Sequence, residues 1–427
     1  MHRTHKFKLS CTGFTLIEVL ISMSVFIIVL VIAGNAFNTI VSQSTRLSKM
    51  EESNIEGIVG LEIMRHDLEQ MGFGLPWGWG KPDPPAVGST VPNTLLIDAV
   101  DIDYKEAVDL KGLKLNDSPS SVPRAFAAQA LLGAFSSAHI AVKGSALGSS
   151  KVSQRWTRIP FHNMTASVPV PSPVSPLKGD KVIMVTNNFN NANLDHRLIV
   201  DPADKSIFHQ NFDTVNMSDN FLPVNDQFSY MVYGIDGETA PRMPFNRADF
   251  FIKIPAGTEA EGKLPPFCAP RTGILYKATV SHKDGSYRYI PLLDCVADMQ
   301  VVLGWDTSDK GSAGAVNVHS SLPDSAGELI VSDTKYESTI KGYFSDTTAA
   351  AEHIRQHLKV VKVYILAQTG KKDPGYRAPE VSIEVGNHLL DGLYPERKYF
   401  LSASQQNYRW KLYRIVARPK NLSSNFN

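Results

Sequence analysis

Net charge is almost absent from this chain of 427 residues, which carries 43 basic and 42 acidic side chains. Without an excess of either sign, the whole protein has no field that would attract nucleic acid or an anionic membrane surface. A local exception is the N-terminus, where Arg3, Lys6 and Lys8 are accompanied by no acid. Hydrophobic residues make up 43% of the chain, as in a globular protein with a substantial core.

Cysteine is scarce as well, and occurs at Cys11, Cys268 and Cys295. If Cys11 leaves with an N-terminal leader, the other two form an even pair that suits a disulfide in an oxidising compartment. Such a bond would stabilise the fold by roughly 3 kcal/mol on the chain-entropy model. The alternative is two buried free thiols, because sequence does not show how closely the two Cα atoms approach.

Motifs of nucleophilic, nucleotide-binding and metal-dependent enzymes are missing. The sequence has no G-x-S-x-G, no P-loop and no dinucleotide-binding glycine motif. His353 and His357 have a spacing that can bring two imidazoles to one metal on a helix, but no third ligand accompanies them. The stretch 306–311 is a poor calcium loop, because Ser308 and Lys310 occupy coordinating positions. We therefore expect no cofactor, no metal and no enzymatic activity.

Basic residues alternate near the C-terminus, at Arg409, Lys411, Arg414 and Arg418. A row of this kind could contact DNA or anionic glycans through phosphate or carboxylate groups. The cations fall on both faces of the predicted strand, which is more typical of an ordinary solvated or edge strand. We expect no nucleic-acid partner.

The most informative feature that is present is an apolar run at residues 14–34, whose one formal charge is Glu18. A helix of this length would be about 32 Å long, close to the thickness of the hydrocarbon layer of a bilayer. The basic residues before it favour a cytoplasmic N-terminus. The sequence therefore predicts one membrane span at 14–34, with the rest of the chain outside the cytoplasm. A carboxylate within that span is unfavourable and needs an explanation.

Three kinds of processing signal compete for this segment. A Sec-type signal peptide has a shorter, uncharged apolar region, and residues 34–36 form only a passable cleavage site. A lipoprotein signal needs an apolar region before the cysteine, and Cys11 has none. A third kind is cut before the apolar run. Residues 13–20, GFTLIEVL, resemble it: they are similar to the type III signal of type IV pilins and of type II secretion pseudopilins.

This resemblance implies roles for three residues. In that family a prepilin peptidase removes a basic leader on the cytoplasmic side, and the new N-terminal phenylalanine is N-methylated. By position, Gly13 ends the leader, Phe14 becomes the methylated first residue, and Glu18 is the glutamate that neutralises the N-terminal amine of a neighbouring subunit. The helix dipole also favours a negative charge near this end. The alternative is a plain signal-anchor helix whose Glu18 pairs with another membrane protein.

The helix is predicted to continue beyond the membrane. Apolar or small residues recur in a heptad-like stripe, which indicates an amphipathic helix lying on an apolar surface. The stripe consists of Ile40, Leu47, Met50, Asn54, Gly57, Leu61, Met64, Leu68 and Met71. Gly72, Gly74 and Pro76 then end the helix. A helix from 14 to about 71 would be roughly 87 Å long.

Residues 73–427 are predicted to form a β-rich head. Candidate strands lie at 94–104, 180–186, 227–236, 248–254, 273–280, 287–293, 296–305, 359–369 and 409–417. Strand 296–305 alternates, with Ala297 and Met299 on one face and Asp298 on the other, as a half-buried strand requires. A helix is predicted at 347–358, and 127–150 reads as a helix followed by a flexible loop. We expect one elaborated β-domain; a separate lobe at 105–175 is the alternative.

Three segments of the head, 292–309, 359–369 and 408–422, together with 65–74 at the end of the helix, are similar to PilW-type minor pilins and J-type pseudopilins. Lys420 stands where those families lead us to expect arginine, and the head is longer than that of a J-type pseudopilin. The implied fold is α+β and pilin-like, with a long N-terminal helix packed on an antiparallel β-sheet head.

The predicted organisation is a leader at 1–13, a long helix at 14–72 and the head at 73–427. The resemblance implies a minor pilin of the inner membrane, with a periplasmic head, that helps to initiate or cap a type IV pilus. The implied partners are other minor and major pilins, prepilin peptidase and the inner-membrane assembly platform. A J-type pseudopilin of type II secretion is the alternative of the same class. A membrane-anchored periplasmic enzyme or binding protein is the alternative of another class.

Overall fold

The computed structural model describes most of the chain in separate stretches. These are residues 15–79, 122–129, 134–162, 165–166, 173–188, 196–201, 203–204, 206–223, 228–305, 321–323, 329–331, 351, 354–355, 358–386 and 397–422. Within the first helix, the side chains at 42–43 and 45–56 fall outside this description. The chain divides into two compact units, Met1–Ile55 and Glu56–Asn427.

A single long helix, α1, runs from Leu16 to Gln70. Its end is determined by two glycines with left-handed backbone, Gly72 at φ 79° and Gly74 at φ 67°, a conformation that other residues adopt only with strain. The predicted long N-terminal helix is therefore confirmed, with ends close to those expected. Short 3₁₀ turns occur at Ala134–Ser136, Ser145–Leu147, Lys151–Gln154, Asp219–Phe221 and Gln405–Asn407.

The rest of the described structure is mostly β. The strands are β1 (Gly78–Trp79), β2 (Phe126–Gln129), β3 (His139–Gly144), β4 (Trp156–His162), β5 (Thr165–Ala166), β6 (Lys181–Asn188), β7 (Arg197–Leu198), β8 (Gln210–Asn211), β9 (Phe228–Asp236), β10 (Asn246–Lys253), β11 (Gly273–Val280), β12 (Tyr287–Trp305), β13 (Ser321–Pro323), β14 (Leu329–Val331), β15 (Leu358–Thr369), β16 (Ser382–Glu384), β17 (Lys398–Phe400) and β18 (Arg409–Ala417).

These strands form two seven-stranded sheets and two small hairpins. The first sheet has the order β1-β7-β6-β9-β4-β5, with β8 paired to β6, and the second has the order β18-β15-β12-β11-β10-β3-β2. The small hairpins are β13-β14 and β16-β17. Among the described pairs, β1 with β7 is parallel and the others are antiparallel. The predicted class, a long helix with a mostly antiparallel β-region, is confirmed.

The main core lies where the last turns of α1 meet both sheets. Leu61, Met64 and Leu68 of the helix, and Met71 directly after it, share one buried cluster with apolar residues of the second sheet and of one face of the first sheet. The opposite face of the first sheet is covered by residues that include Phe212 and Phe221. The β16-β17 hairpin packs on the outer face of the second sheet. Both sheets are thus buried on two sides over much of their length.

The prediction for residues 127–150 was wrong. Instead of a helix and a flexible loop, this stretch contains part of β2 and all of β3, and both strands belong to the second sheet. Alanine favours helix on its own. Here the ladder of β3 against β10 determines the conformation, and Ala127 and Ala141 pack on each other as small residues between strands.

The prediction of two strands at 287–293 and 296–305 was also wrong, because one strand of 19 residues, β12, covers both. A register shift between Val296 and Asp298 moves Ala297 away from Met299, into the cluster under the β16-β17 hairpin. Asp298 is buried too, where it accepts hydrogen bonds from Arg397 at 2.7 and 2.8 Å. The strand is therefore covered on both faces rather than half-buried.

Other predicted strands match observed ones within a few residues. They are 180–186, 227–236, 248–254, 273–280, 359–369 and 409–417. The predicted strand at 94–104 lies outside the described residues, as does most of the predicted helix at 347–358. Ala351, Ile354 and Arg355 of that segment are helical, whereas Leu358 already belongs to β15.

Candidate functional site

The start of α1 is closed by a pair of residues three positions apart. The backbone N–H and the hydroxyl of Thr15 both donate hydrogen bonds to Oε2 of Glu18, at 2.9 and 2.8 Å. In return, the carbonyl oxygen of Thr15 accepts the N–H groups of Glu18 and Val19 at 3.1 and 3.3 Å. The glutamate thus satisfies a backbone donor that would have no partner within the helix, as in a capping box.

Thr15 is a site residue that the sequence reasoning missed. The signal was present, because threonine followed three residues later by glutamate, just before an apolar run, is typical of a helix N-terminus. Glu18 therefore has a hydrogen-bond partner, Thr15, within its own chain.

The helix that follows this cap exposes its apolar side chains. Leu16–Val41, 26 residues, is the one stretch among the described residues that is long and apolar enough to cross a membrane, by length and composition. None of it is buried within the fold; Leu16, Phe26 and Ile32, for example, are 81%, 63% and 63% exposed. An apolar surface of this extent is unfavourable in water. The segment supports anchoring of the chain in a membrane.

Gly13 and Phe14 lie outside the described residues. The roles inferred for them, as the end of a leader and as a methylated first residue, therefore stay predictions. Their position immediately before the Thr15–Glu18 cap is given by the sequence alone.

Residues 8–34 match the prokaryotic N-terminal methylation motif. The matched stretch contains Gly13, Phe14 and Glu18 and ends inside the exposed apolar helix. It supports a type IV pilin-like protein that is processed by prepilin peptidase, and a structural pilin rather than an enzyme. No curated protein and no solved structure matches the chain.

In the second unit, the last turns of α1 lie unusually close to the second sheet. A Cβ atom added to Gly60 would be 2.0 Å from the carbonyl oxygen of Leu292, and one added to Gly57 would be 2.7 Å from Cδ1 of Leu293. Because a backbone oxygen cannot move aside as a side chain can, only glycine fits at position 60. The helix backbone is therefore in direct contact with β12.

A buried ion pair lies in the same interface. Nζ of Lys277 on β11 is 2.6 Å from Oδ2 of Asp67, and the two residues are 8% and 4% exposed. Burial raises the pKa of the Asp67 carboxyl, while the Lys277 ammonium and His66 act in the opposite direction. Removing one partner would leave an uncompensated charge between helix and sheet.

A second buried polar cluster joins three strands of the second sheet. Asp249 on β10 accepts hydrogen bonds from both Nε and Nη2 of Arg247, at 2.7 and 2.8 Å, and from the hydroxyl of Tyr287 at 2.5 Å. Nε2 of His139 on β3 lies 3.0 Å from its Oδ2. Burial alone would raise the pKa of Asp249, but Arg247 and His139 hold it below the ordinary value.

This cluster has the residue types of an active site but not its accessibility. Asp249 is fully buried, Arg247 is 1% exposed and His139 is 5% exposed. The ring of Phe251 stacks on the ring of His139, with 4.6 Å between the ring centres. A carboxylate whose oxygens already accept four contacts is a poor general base, because substrate cannot reach it. Its role is to hold β3, β10 and β12 together.

The structure joins Cys268 and Cys295 in a disulfide with a Cα–Cα distance of 5.1 Å. Cys295 is 2% exposed and sits in left-handed backbone at φ 54°, next to the irregular part of β12. The bond therefore ties the loop before β11 to β12, next to the register shift at Val296–Asp298.

The weaker metal candidates cannot be placed. His353, His357 and the stretch 306–311 lie outside the described residues. Within the part of the chain that the structure does describe, no group of histidine, cysteine, aspartate and glutamate side chains is arranged to hold a metal ion.

Proposed function

We propose that this protein is a minor pilin of the PilW type that helps to initiate or cap a type IV pilus. The observation that carries the proposal is the order of features at the N-terminus: a methylation motif at 8–34, a glutamate that closes the helix start, and an exposed apolar helix. A protein retained permanently in the bilayer needs only the last of these. The methylation motif is what a permanent anchor does not need, and Glu18 lies close in sequence to the amine that cleavage before Phe14 would create.

The proposed assembly step depends on a charge that exists only after cleavage. Cutting between Gly13 and Phe14 leaves a protonated amine one turn before Glu18, next to the N–H and hydroxyl of Thr15 that already bind the carboxylate. An incoming subunit then offers its Glu18 to the amine of the subunit ahead. In the low dielectric of a membrane or filament interior, a charge pair of this kind fixes register more than it adds stability.

The proposed domains follow the same plan. Residues 1–13 form the leader, 14–72 the assembly helix with its membrane segment at 14–34, and 73–427 the periplasmic head. The Cys268–Cys295 disulfide supports an oxidising compartment for the head. Two seven-stranded sheets make the head bulky, and a bulky head fits the pilus tip better than a tightly repeated array. The proposed partners are other minor and major pilins, prepilin peptidase and the inner-membrane assembly platform.

N-terminal mass spectrometry of the protein purified from membranes tests the first step. The expected mature chain begins at N-methyl-Phe14. A chain that begins at residue 1, or near residue 37, would contradict the proposal, because the first indicates an uncut anchor and the second a signal peptide cut after the apolar run.

Two controls make that measurement specific. Co-expression without prepilin peptidase should leave the leader in place, and so should a Gly13→Val variant with the peptidase present. Deletion of the gene then separates a pilus from a secretion system. Loss of pili with normal protein secretion supports the minor pilin, whereas loss of secretion with normal pili supports a pseudopilin.

A further inference from the structure

The last strand of the head, β18, lies at the end of the second sheet. Among the described strands it pairs with β15 alone, over Arg409–Thr369 to Ala417–Val361. Its nine residues contain no acid, although the chain as a whole is nearly neutral. An edge strand presents unpaired backbone groups on its outer side, to which another extended chain can be added.

The two faces of β18 differ in how their cations are engaged. On one face, Cζ of Arg409 lies 4.3 Å from the centre of the Tyr376 ring, and its Nη2 is 3.3 Å from Oδ2 of Asp373. Nζ of Lys411 on the same face lies 4.6 Å from the centre of the Tyr413 ring. These cations already have partners within the head. A binding partner would therefore be contacted by the side chains of the other face.

The other face carries Trp410, which is half-buried, followed by Leu412, Arg414 and Val416, and Arg418 comes directly after the strand. We call the alternating apolar and basic residues Leu412, Arg414, Val416 and Arg418 the edge stripe. All four are exposed, Leu412 by 36% and Val416 by 38%. Arg414 and Arg418 have no ion-pair partner in the described structure. The residues opposite on β15 are buried; Tyr364, which faces Arg414, is 2% exposed. The stripe is thus a row of side chains along the open rim of a covered sheet.

This pattern does not fit the simpler uses of a basic edge. A strand that only needs protection from edge-to-edge association gains from its arginines, but exposed leucine and valine work against that purpose. A surface for nucleic acid gains from cations and aromatic rings, and aliphatic side chains add little to contacts with phosphates. An extended protein segment in which apolar and acidic residues alternate can contact both the aliphatic and the basic side chains of the edge stripe.

We propose that β18 is a docking strand for an extended segment of a partner protein in which apolar and acidic residues alternate. Added to the edge, the segment would form a main-chain ladder with β18. Side chains directly opposite one another lie about 4.5–5.5 Å apart in an antiparallel pair. Its carboxylates would then reach Arg414 and Arg418, and its apolar residues would cover Leu412 and Val416. This proposal does not depend on the PilW assignment.

A peptide probe tests the proposal on the full chain in detergent micelles. We use a labelled peptide as long as β18, nine residues, with alternating valine and glutamate, and measure its binding by fluorescence anisotropy. A peptide with lysine in place of glutamate should bind at least about tenfold more weakly, since each cross-strand charge pair changes from attractive to repulsive. N-methylation of alternate backbone nitrogens in the valine–glutamate peptide should cause a similar loss, because it removes ladder donors.

Variants of the protein give the second arm. Arg414→Glu together with Arg418→Glu should weaken binding of the valine–glutamate peptide at least about tenfold and improve binding of the lysine peptide. The matched control is Lys263→Glu with Lys283→Glu, two exposed residues outside β18, which change the net charge equally and should leave binding within about twofold.

Two results would overturn the proposal. Equal binding of a single-stranded oligonucleotide, with no effect of peptide N-methylation, would mean that the surface attracts polyanions by charge alone. No measurable binding of the valine–glutamate peptide would mean that the arginines only protect the edge. The peptide comparisons use the native protein, so they remain decisive even if a variant does not fold.

Discussion

The two ends of α1 are parts of one helix and have opposite surroundings. In Leu16–Val41 every apolar side chain is exposed within the fold of its unit. At the other end, Leu61, Met64, Leu68 and the adjoining Met71 are buried, three of them completely. The two segments also differ in pattern: Leu16–Val41 is apolar all round, whereas residues 56–70 carry charged residues beside one apolar stripe.

This contrast separates two functions of one element. The buried end contributes to the stability of the head, because its side chains leave water when the head folds. The exposed end adds little to that stability, and its apolar surface is available to lipid or to other chains. Changes in the buried end and in the head interior should therefore alter unfolding of the head. Changes in the exposed end should alter association.

Asp67→Ala should give the largest change in stability. The substitution leaves the Lys277 ammonium buried without its 2.6 Å partner, which costs about 3–5 kcal/mol. Denaturant unfolding of the full chain in detergent, followed by tryptophan fluorescence, measures the loss. The control is Asp67→Ala combined with Lys277→Met, which removes both charges and should be more stable than Asp67→Ala alone. Equal stability of the two variants would show that the pair does not matter.

Acid should destabilise the head through His282. Burial lowers the pKa of His282 to about 4; Asp236 opposes this, and Arg242 and His209 add to it. One ring nitrogen already accepts the N–H of Arg242 at 3.2 Å and the other lies 2.8 Å from Oδ1 of Asn246, so the neutral ring fits and an added proton does not.

The sign of this effect follows from proton binding. Between pH 6.5 and about 4 the unfolded chain binds a proton at His282 that the folded head does not. Stability is therefore complete above that window and falls by about 1.4 kcal/mol per pH unit within it. His282→Gln should make the measured slope shallower by about that amount. An unchanged slope would exclude His282 as its source.

A pair of glycine substitutions compares the two ends of α1 directly. Gly60→Ala forces a Cβ against the carbonyl oxygen of Leu292, at 2.0 Å in the undisturbed structure, and should cost about 1–3 kcal/mol. Gly34→Ala meets no atom within 4 Å, so the stability of the head should stay the same. Circular dichroism and denaturant unfolding measure both. A similar effect of the two changes would remove the distinction between the ends.

Glu18→Ala should change stability least and assembly most. Loss of the cap at Thr15 affects an exposed helix end, so unfolding of the head should change by less than about 0.5 kcal/mol. Piliation, scored by electron microscopy in a strain that depends on this gene, should be lost. Ser24→Ala is the matched control, because the Ser24 hydroxyl donates to the carbonyl oxygen of Leu20 within the same exposed helix and is remote from the helix start. Normal pili in the Glu18→Ala strain would contradict the proposed role.

Much of the helix could be predicted because its signals are local. The apolar run, the terminating glycines and the heptad-like stripe are all visible in the sequence, and Leu61, Met64, Leu68 and Met71 are buried as the stripe predicts. Asp67 was not predicted. A charged residue beside the stripe looks solvent-exposed, and its burial depends on Lys277, which lies about 200 positions away in sequence.

The head was harder to predict where strands depend on distant partners. β3 is made of small and mixed residues and is a strand because it pairs with β10 on one side and β2 on the other. The pairing of β12 contains register shifts against β11 and β15, and no local residue pattern reveals such shifts. The small polar cluster around Asp249 likewise joins residues from three strands.

The sequence by itself determined the N-terminal methylation motif and the apolar helix, because both depend on residues within a few turns of one another. Only the tertiary structure decided which charges are paired, which small-residue segments become strands and which strand is left at the edge of the second sheet. Those features depend on contacts between residues far apart in the chain, whose burial and pairing energies exceed the local preferences of the residues involved.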